Sequence, residues 1–314
     1  MTVLVTGAAG LLGSELTRQL LDRGEIVIGL DNYYTGSKSN IDQFFGRNGF
    51  YFIQRDVKDS AEYPRTMGLL NPLKQIYNLA CPASPVHYQT DPWYTLMTNI
   101  DGVSNMLSLS IQTGSRLLQA STSEVYGDPL VTPQKEEYWG NVNALGPRAC
   151  YDEGKRVAET MCTISSADTC IARIFNTYGP GMALNDGRAI SNFIVQALQN
   201  KPITMHGDGT QTRSFCYVED TASGLIELMN SDLQGPVNIG NPDEIKLIEL
   251  AEQIIDLTNS TSEIIYQDSA VDDPQRRCPD ISQAIGKLAW SPTIDRRQGL
   301  MHTIEYIKEQ LCKQ

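Results

Sequence analysis

Apolar positions along the chain fall into short runs separated by longer amphipathic stretches. Val3-Leu-Val5, Ile26-Val-Ile-Gly-Leu30, Tyr51-Phe-Ile-Gln54, Gln75-Ile-Tyr-Asn-Leu-Ala80, Arg116-Leu-Leu-Gln-Ala120 and Cys170-Ile-Ala-Arg-Ile174 are too short for helices and predict strands. Between them Ser14–Asp22, a long stretch from Pro92 to about Gln112, and Tyr151 to about Ala167 predict helices. Strand and helix alternating in this way imply an α/β fold, a Rossmann-type doubly wound parallel sheet. After Pro180 glycine and proline become frequent and the elements shorten. Helices are expected near Ile190–Gln199, Val218–Asn230 and Lys246–Thr258 and from about Gln298, with a strand near Thr204–His206 and a loop beginning at Asn238. Residues 1–176 thus read as a dinucleotide-binding domain to which later segments return. Residues 177–314 read as mainly a smaller, substrate-binding domain that closes over it.

Composition narrows the partners. The chain has 314 residues and a formal charge of −12, which argues against nucleic acid and anionic membrane. Its seven cysteines show no zinc-like spacing and read as reduced thiols, while His87, His206 and His302 are too scattered to hold a metal. The N-terminus opens directly into a strand, and no apolar run is long enough to span a bilayer. A cytoplasmic location is the expectation.

Candidate chemistry begins at Thr6-Gly-Ala-Ala-Gly10-Leu-Leu-Gly13, between the first strand and the first helix. Gly7 permits a tight turn, Gly10 admits a pyrophosphate close to the backbone, and Gly13 lets helix and strand pack closely. The second strand ends in Asp31, placed to accept hydrogen bonds from an adenosine ribose. A carboxylate there repels a 2′-phosphate, so NAD is favoured over NADP. Asp56-Val57, just past the third strand, is where an adenine would lie. Thr122, Ser123 and Glu124 follow the fifth strand at the carboxyl edge of the sheet, where open α/β folds bind ligands. Tyr151 and Lys155 stand one helical turn apart on one face. A nearby ammonium draws a phenol's pKa down from about 10. Such a tyrosine can take a proton from an alcohol as hydride leaves the same carbon.

Longer runs carry a resemblance: Asn78-Leu-Ala-Cys-Pro-Ala-Ser-Pro-Val-His87, Ser121-Thr-Ser-Glu-Val-Tyr-Gly-Asp-Pro129, Tyr138-Trp-Gly-Asn-Val-Asn143 and Gly146-Pro-Arg-Ala-Cys-Tyr-Asp-Glu-Gly-Lys-Arg156. Arg173-Ile-Phe-Asn-Thr-Tyr-Gly-Pro180, Gly207-Asp-Gly-Thr-Gln-Thr-Arg-Ser-Phe-Cys-Tyr217 and Asp272-Asp-Pro-Gln-Arg-Arg-Cys-Pro279 continue it. Over nearly its whole length the chain resembles the extended short-chain dehydrogenase/reductases that act on nucleotide sugars, the NAD-dependent epimerase/dehydratase family. Within that family it is most similar to the branch that decarboxylates UDP-glucuronate to UDP-xylose.

The resemblance implies roles residue by residue. Tyr151 would be the acid/base at the sugar C4 hydroxyl, Lys155 would also hold the nicotinamide ribose, and Thr122 would bind the C4 oxygen. Oxidation at C4 makes a β-keto acid, which loses CO2 readily; the enolate is then protonated and the hydride returned, so NAD is regenerated. Ser123 stands where related dehydratases carry an aspartic acid, and serine is too weak an acid to expel water. Glu124 would orient the sugar ring. Leu11, Leu12, Asn32, Ala80 and Asn99 would join the cofactor site, to which Tyr151 and Lys155 would also belong. Arg277 would grip the glucuronate carboxylate, with Arg213, Arg276 and Asn176 at the diphosphate. The resemblance also implies a homodimer through a four-helix contact between Met97–Leu109 and the Tyr151 helix, an expectation that sedimentation at low concentration tests.

The likeness departs at Tyr94 and Met97, where relatives carry lysines, and the Met97 position is expected to open toward the active site. The Lys58–Lys74 stretch is also less familiar. Rival readings are 4-epimerisation or a dehydration using Glu124 on another nucleotide sugar, and, from a different class, a non-catalytic NAD-binding sensor.

Overall fold

The computed structural model describes residues 1–59, 72–268 and 274–313. Most of the unfamiliar Lys58–Lys74 stretch, together with Asp272 and Asp273, therefore lies outside the described residues. Six strands, β1 Thr2–Thr6, β2 Ile26–Asp31, β3 Phe50–Gln54, β4 Leu73–Asn78, β5 Arg116–Thr122 and β6 Thr169–Ile174, lie where the apolar runs predict them. All pair in parallel in the order β6-β5-β4-β1-β2-β3, and Pro236–Ile239 joins beside β6 as a seventh strand.

That seventh strand corrects the expected loop at Asn238. Asn238 is fully buried, donating from Nδ2 to the Gln134 and Asp280 carbonyls (2.9 and 3.0 Å) and accepting from Tyr126 Oη at 2.7 Å. An asparagine in a short apolar run reads as a turn residue until distant partners satisfy its amide.

Side chains alternate across the sheet, and both faces are covered. On β1, Val3 and Val5 join one apolar cluster with Leu16, Leu20 and Leu225, while Leu4 joins another with Ile76, Val103 and Met106. A third cluster, built from Phe193, Ile194, Met205, Leu250, Ile254 and Leu300, holds the later elements together.

The long helix predicted from Pro92 is interrupted: Pro92–Met97 and Val103–Thr113 are α-helical, joined by a π-helical turn over Thr98–Gly102. Gly102 is needed where this turn packs against the segment after β3, since a Cβ there would stand 2.8 Å from Val57 Cγ2. Among the described residues no helix is long and apolar enough to cross a membrane, and all seven cysteines are free thiols.

Candidate active site

The carboxyl ends of the strands are tied together by polar side chains. Thr6 Oγ1 donates to Asn78 Oδ1 at 2.7 Å and accepts from the Leu79 and Ala80 amides, while Asn78 Nδ2 donates to Gln119 at 2.8 Å. Above this edge lies a cavity of about 1280 Å³ whose wall includes Gly7, Gly10, Leu11, Leu12 and Gly13 at one end. Its wall also holds Thr122, Ser123, Glu124, Tyr151, Lys155, Asn176, Arg213 and Arg277. This is larger than the space a single drug-sized ligand needs, about 300–1,000 Å³.

The glycine turn is shaped by close approach. Gly7 has φ +69° with Ala80 N only 3.0 Å from where its Cβ would be, and a Cβ on Gly13 would stand 2.0 Å from the Gly7 carbonyl oxygen. The helix Leu11–Asp22 starts on Gly10 without a side-chain cap, so its first amides remain for an anion. Asp31 is buried at the end of β2, accepting from Ala9 N at 2.9 Å and Tyr33 N at 2.7 Å. It shares a smaller adjoining compartment with Asn32, Asp56, Val57 and Ala80. An uncapped helix start over a glycine cradle, followed by a carboxylate one strand away, fits a dinucleotide without a 2′-phosphate.

Two expected site residues lie elsewhere. Asn99 is 1% exposed and behind the wall, its amide donating to Thr95 O at 3.0 Å and Cys81 Sγ at 3.2 Å. In this structure it supports Cys81, which does line the cavity. Arg276, expected at the diphosphate, is exposed outside the cavity wall and pairs with Glu244 at 2.8 Å. Arg276 and Arg277 are consecutive in a strand that pairs with Thr212 and Arg213, and consecutive strand side chains face opposite ways. Met97, expected to open toward the site, is not in either wall, whereas Tyr94 lines the smaller compartment.

Tyr151 and Lys155 lie on the Ala149–Ile164 helix, 6% and 3% exposed. Burial pushes the Tyr151 phenol far above its ordinary value and the neighbouring Cys81 adds to this, while a Thr122 hydrogen bond opposes it. In the protein by itself burial therefore acts against the acidic phenol expected from the sequence. Lys155 donates to the Ala120 carbonyl at 2.8 Å and stands 5.7 Å from the Tyr151 ring centre.

Beside this pair sits a buried charge network. Glu124 Oε2 accepts from Arg148 at 2.6 Å and from Arg277 at 2.8 Å, and Arg277 also donates to Asn176 Oδ1 at 3.2 Å. Burial alone would raise the Glu124 carboxyl, but Arg277 and Arg148 outweigh it and hold it below its ordinary value. Sequence reasoning missed three members of the wall. Arg148, three residues before Tyr151, could have been found from helical spacing. Tyr88, whose ring stacks on Tyr151 at 5.1 Å, and Arg188, paired with Asp186, carry no comparable local signal.

Asp152, next to Tyr151, is buried, with Oδ2 3.9 Å from Arg148 Nε and Oδ1 without a hydrogen-bond partner. Burial and then the Glu124 charge push its carboxyl up to about 7, against Arg148 and Arg277. An unfolded aspartate titrates near ~3.9, so between about pH 4 and 7 the folded state binds the extra proton and stability falls as pH rises. Asp152→Asn, which mimics the neutral acid, is expected to flatten that slope. Denaturant unfolding should find it more stable than the parent by on the order of 2–4 kcal/mol at about pH 8, by on the order of 1 kcal/mol at about pH 5, and nearly equal at about pH 3.5. A parent whose stability does not fall over that interval would mean that Asp152 is ionised throughout.

Comparison with known proteins agrees with this geometry. The NAD dependent epimerase/dehydratase family matches residues 3–240. UDP-glucuronic acid decarboxylase 1 of Xenopus tropicalis is 50% identical over 313 residues, covering 98% of this chain and 72% of that protein. UDP-glucuronic acid decarboxylase 5 of Arabidopsis thaliana is 49% identical over 306 residues, 96% of this chain and 87% of that protein. Among solved structures, UDP-glucose 4-epimerase of Thermotoga maritima with UDP-glucose superposes at a TM-score of 0.90 with 25% identity, covering 99% of this chain and 100% of that one. The Bacillus cereus UDP-glucuronic acid 4-epimerase in complex with UDP-glucuronic acid and NAD gives 0.87 with 26% identity over 99% and 100%. With the dinucleotide cradle and the Tyr151–Lys155 helix in place, a match of this length means that the chain belongs to the NAD-dependent epimerase/dehydratase family.

Proposed function

We propose that this protein converts UDP-glucuronate to UDP-xylose and CO2, with NAD recycled within the site. The observation that carries the reading is the buried Arg277, in one cavity wall with Tyr151 and Thr122, next to a serine where dehydration would need an acid. Relatives named for this decarboxylation, about half identical over nearly the whole chain, support it.

Bound NAD supplies the hydride acceptor and later donor, and its pyridinium charge favours the buried phenolate. Tyr151 takes the C4 hydroxyl proton and Thr122 holds the C4 oxygen. Arg277 turns part of its donor fork from Glu124 to the substrate carboxylate and fixes the C5 substituent in one orientation. Once C4 is a ketone, the C5–carboxyl bond breaks and its electron pair delocalises onto the C4 oxygen, where Thr122 and Tyr151 lie. C5 then takes up a proton, and Tyr151 returns its proton to the C4 oxygen. Glu124, held between Arg148 and Arg277, keeps both guanidiniums in place and orients the sugar ring. Arg213 and Asn176 serve the diphosphate.

Residues 177–314 mainly hold the nucleotide sugar in this reading, and the active form is a cytoplasmic homodimer. Ile111, Val157 and Ile164, exposed on the two helices concerned, support the pairing. Incubation with UDP-glucuronate tests the reaction: mass spectrometry should find CO2 and a UDP-pentose, carrying deuterium at C5 when the reaction is run in D2O, with no net NADH. A UDP-hexuronate of unchanged mass, or a product lighter by water, would replace this reading with epimerisation or dehydration.

A further inference from the structure

Tyr94 lies in the first turn of the Pro92–Met97 helix, where the Asp91 cap carboxylate accepts from the Tyr94 amide at 2.9 Å and so fixes where the side chain starts. Its hydroxyl donates to Asp56 Oδ2 at 2.7 Å and accepts from Asn32 Nδ2 at 2.7 Å; Asn32 also donates to the same Asp56 oxygen at 3.0 Å. One face of its ring stacks on Tyr34, with centroids 4.4 Å apart and planes at 27°. Lys58 Nζ stands 3.5 Å from the ring centre. One side chain therefore joins the segment after β2, the segment after β3 and the helix that follows β4.

These segments enclose the compartment that holds Asp31, and Tyr94 is part of its wall. A phenol is suited to this junction in a way a flexible ammonium is not: it presents a flat face for stacking and for a cation, and a hydroxyl that both gives and accepts. The polar tip is shielded, and burial followed by the Asp56 hydrogen bond pushes its pKa up, so it remains a donor at neutral pH.

We propose that Tyr94 is a cofactor-positioning residue that binds Tyr34, Lys58, Asn32 and Asp56 into one wall around the adenosine half of NAD and thereby slows its release. An enzyme that reuses one dinucleotide in every turnover needs such retention. The inference rests on NAD binding and is independent of which sugar is processed.

The test loads the protein with NADH and follows loss of bound fluorescence in excess ADP-ribose, with UDP affinity measured by calorimetry on the same samples. Tyr94→Phe keeps the ring and loses the hydroxyl, and is expected to release NADH about three- to tenfold faster. Tyr94→Ala loses both and should release it at least about tenfold faster, with UDP affinity unchanged in both variants. Release from Tyr94→Ala within about twofold of the parent would overturn the proposal. So would a fall in UDP affinity that matches the faster release in Tyr94→Phe, because that pattern describes a generally loosened fold. If circular dichroism shows Tyr94→Ala to be unfolded, Tyr94→Phe decides, and release at the parent rate counts against the assignment.

Discussion

Tyr151→Phe is expected to lower turnover of UDP-glucuronate by at least about a thousandfold while leaving NAD bound. The phenol is the acid/base in the proposed sequence, and phenylalanine keeps the stack on Tyr88 while removing the proton carrier. Burial raises this phenol in the protein by itself, and a cationic nicotinamide ring beside it would favour its ionisation. Two readouts isolate the effect: cofactor content of the purified variant, and absence of transient NADH absorbance on adding substrate. Turnover within tenfold of the parent would remove Tyr151 from the chemistry. A variant that has lost NAD would instead place Tyr151 in cofactor binding.

Arg277→Ala should reduce kcat/KM for UDP-glucuronate by at least about a hundredfold, close to 2.7 kcal/mol of lost transition-state stabilisation. Affinity for UDP-glucose, which has no carboxylate, should change far less. Arg277 is 6% exposed and shares Glu124 with Arg148, so its removal also leaves a buried carboxylate with one fewer partner. A loss of fold stability on the order of 3 kcal/mol is expected from that alone. Thermal unfolding of the variant separates this term from the kinetic one. Arg277→Lys should recover stability better than activity, because an ammonium cannot offer a carboxylate two parallel donors. Equal damage to both sugars would assign Arg277 to the shared diphosphate or to the fold, and the carboxylate role would pass to another group.

The asymmetry between Arg276 and Arg277 shows where reading the chain stops. Both lie in one family-like run and have the same chemistry, yet Arg276 is exposed and pairs with half-buried Glu244, while Arg277 is buried and pairs with Glu124. The choice follows from a two-residue strand whose register is set against Thr212 and Arg213. A strand that short leaves no period to detect. Asn238 was misread for a related reason: its strand is stabilised by partners at Gln134 and Asp280, far away in sequence.

Local pattern alone was enough for the six strands from Thr2 to Ile174, the glycine turn at Gly7–Gly13 and the shared helical face of Tyr151 and Lys155. Each is encoded within a few residues by periodicity or by the conformational freedom of glycine. The charge state of the site is not encoded that way. Glu124 meets one guanidinium from Arg148 and another from Arg277, 24 and 153 residues away, and these reverse the effect of burial on its carboxyl. On Tyr151 burial prevails instead. Desolvation and Coulomb attraction depend on which groups the fold brings together and how completely it removes water around them, and no short stretch of chain contains that information.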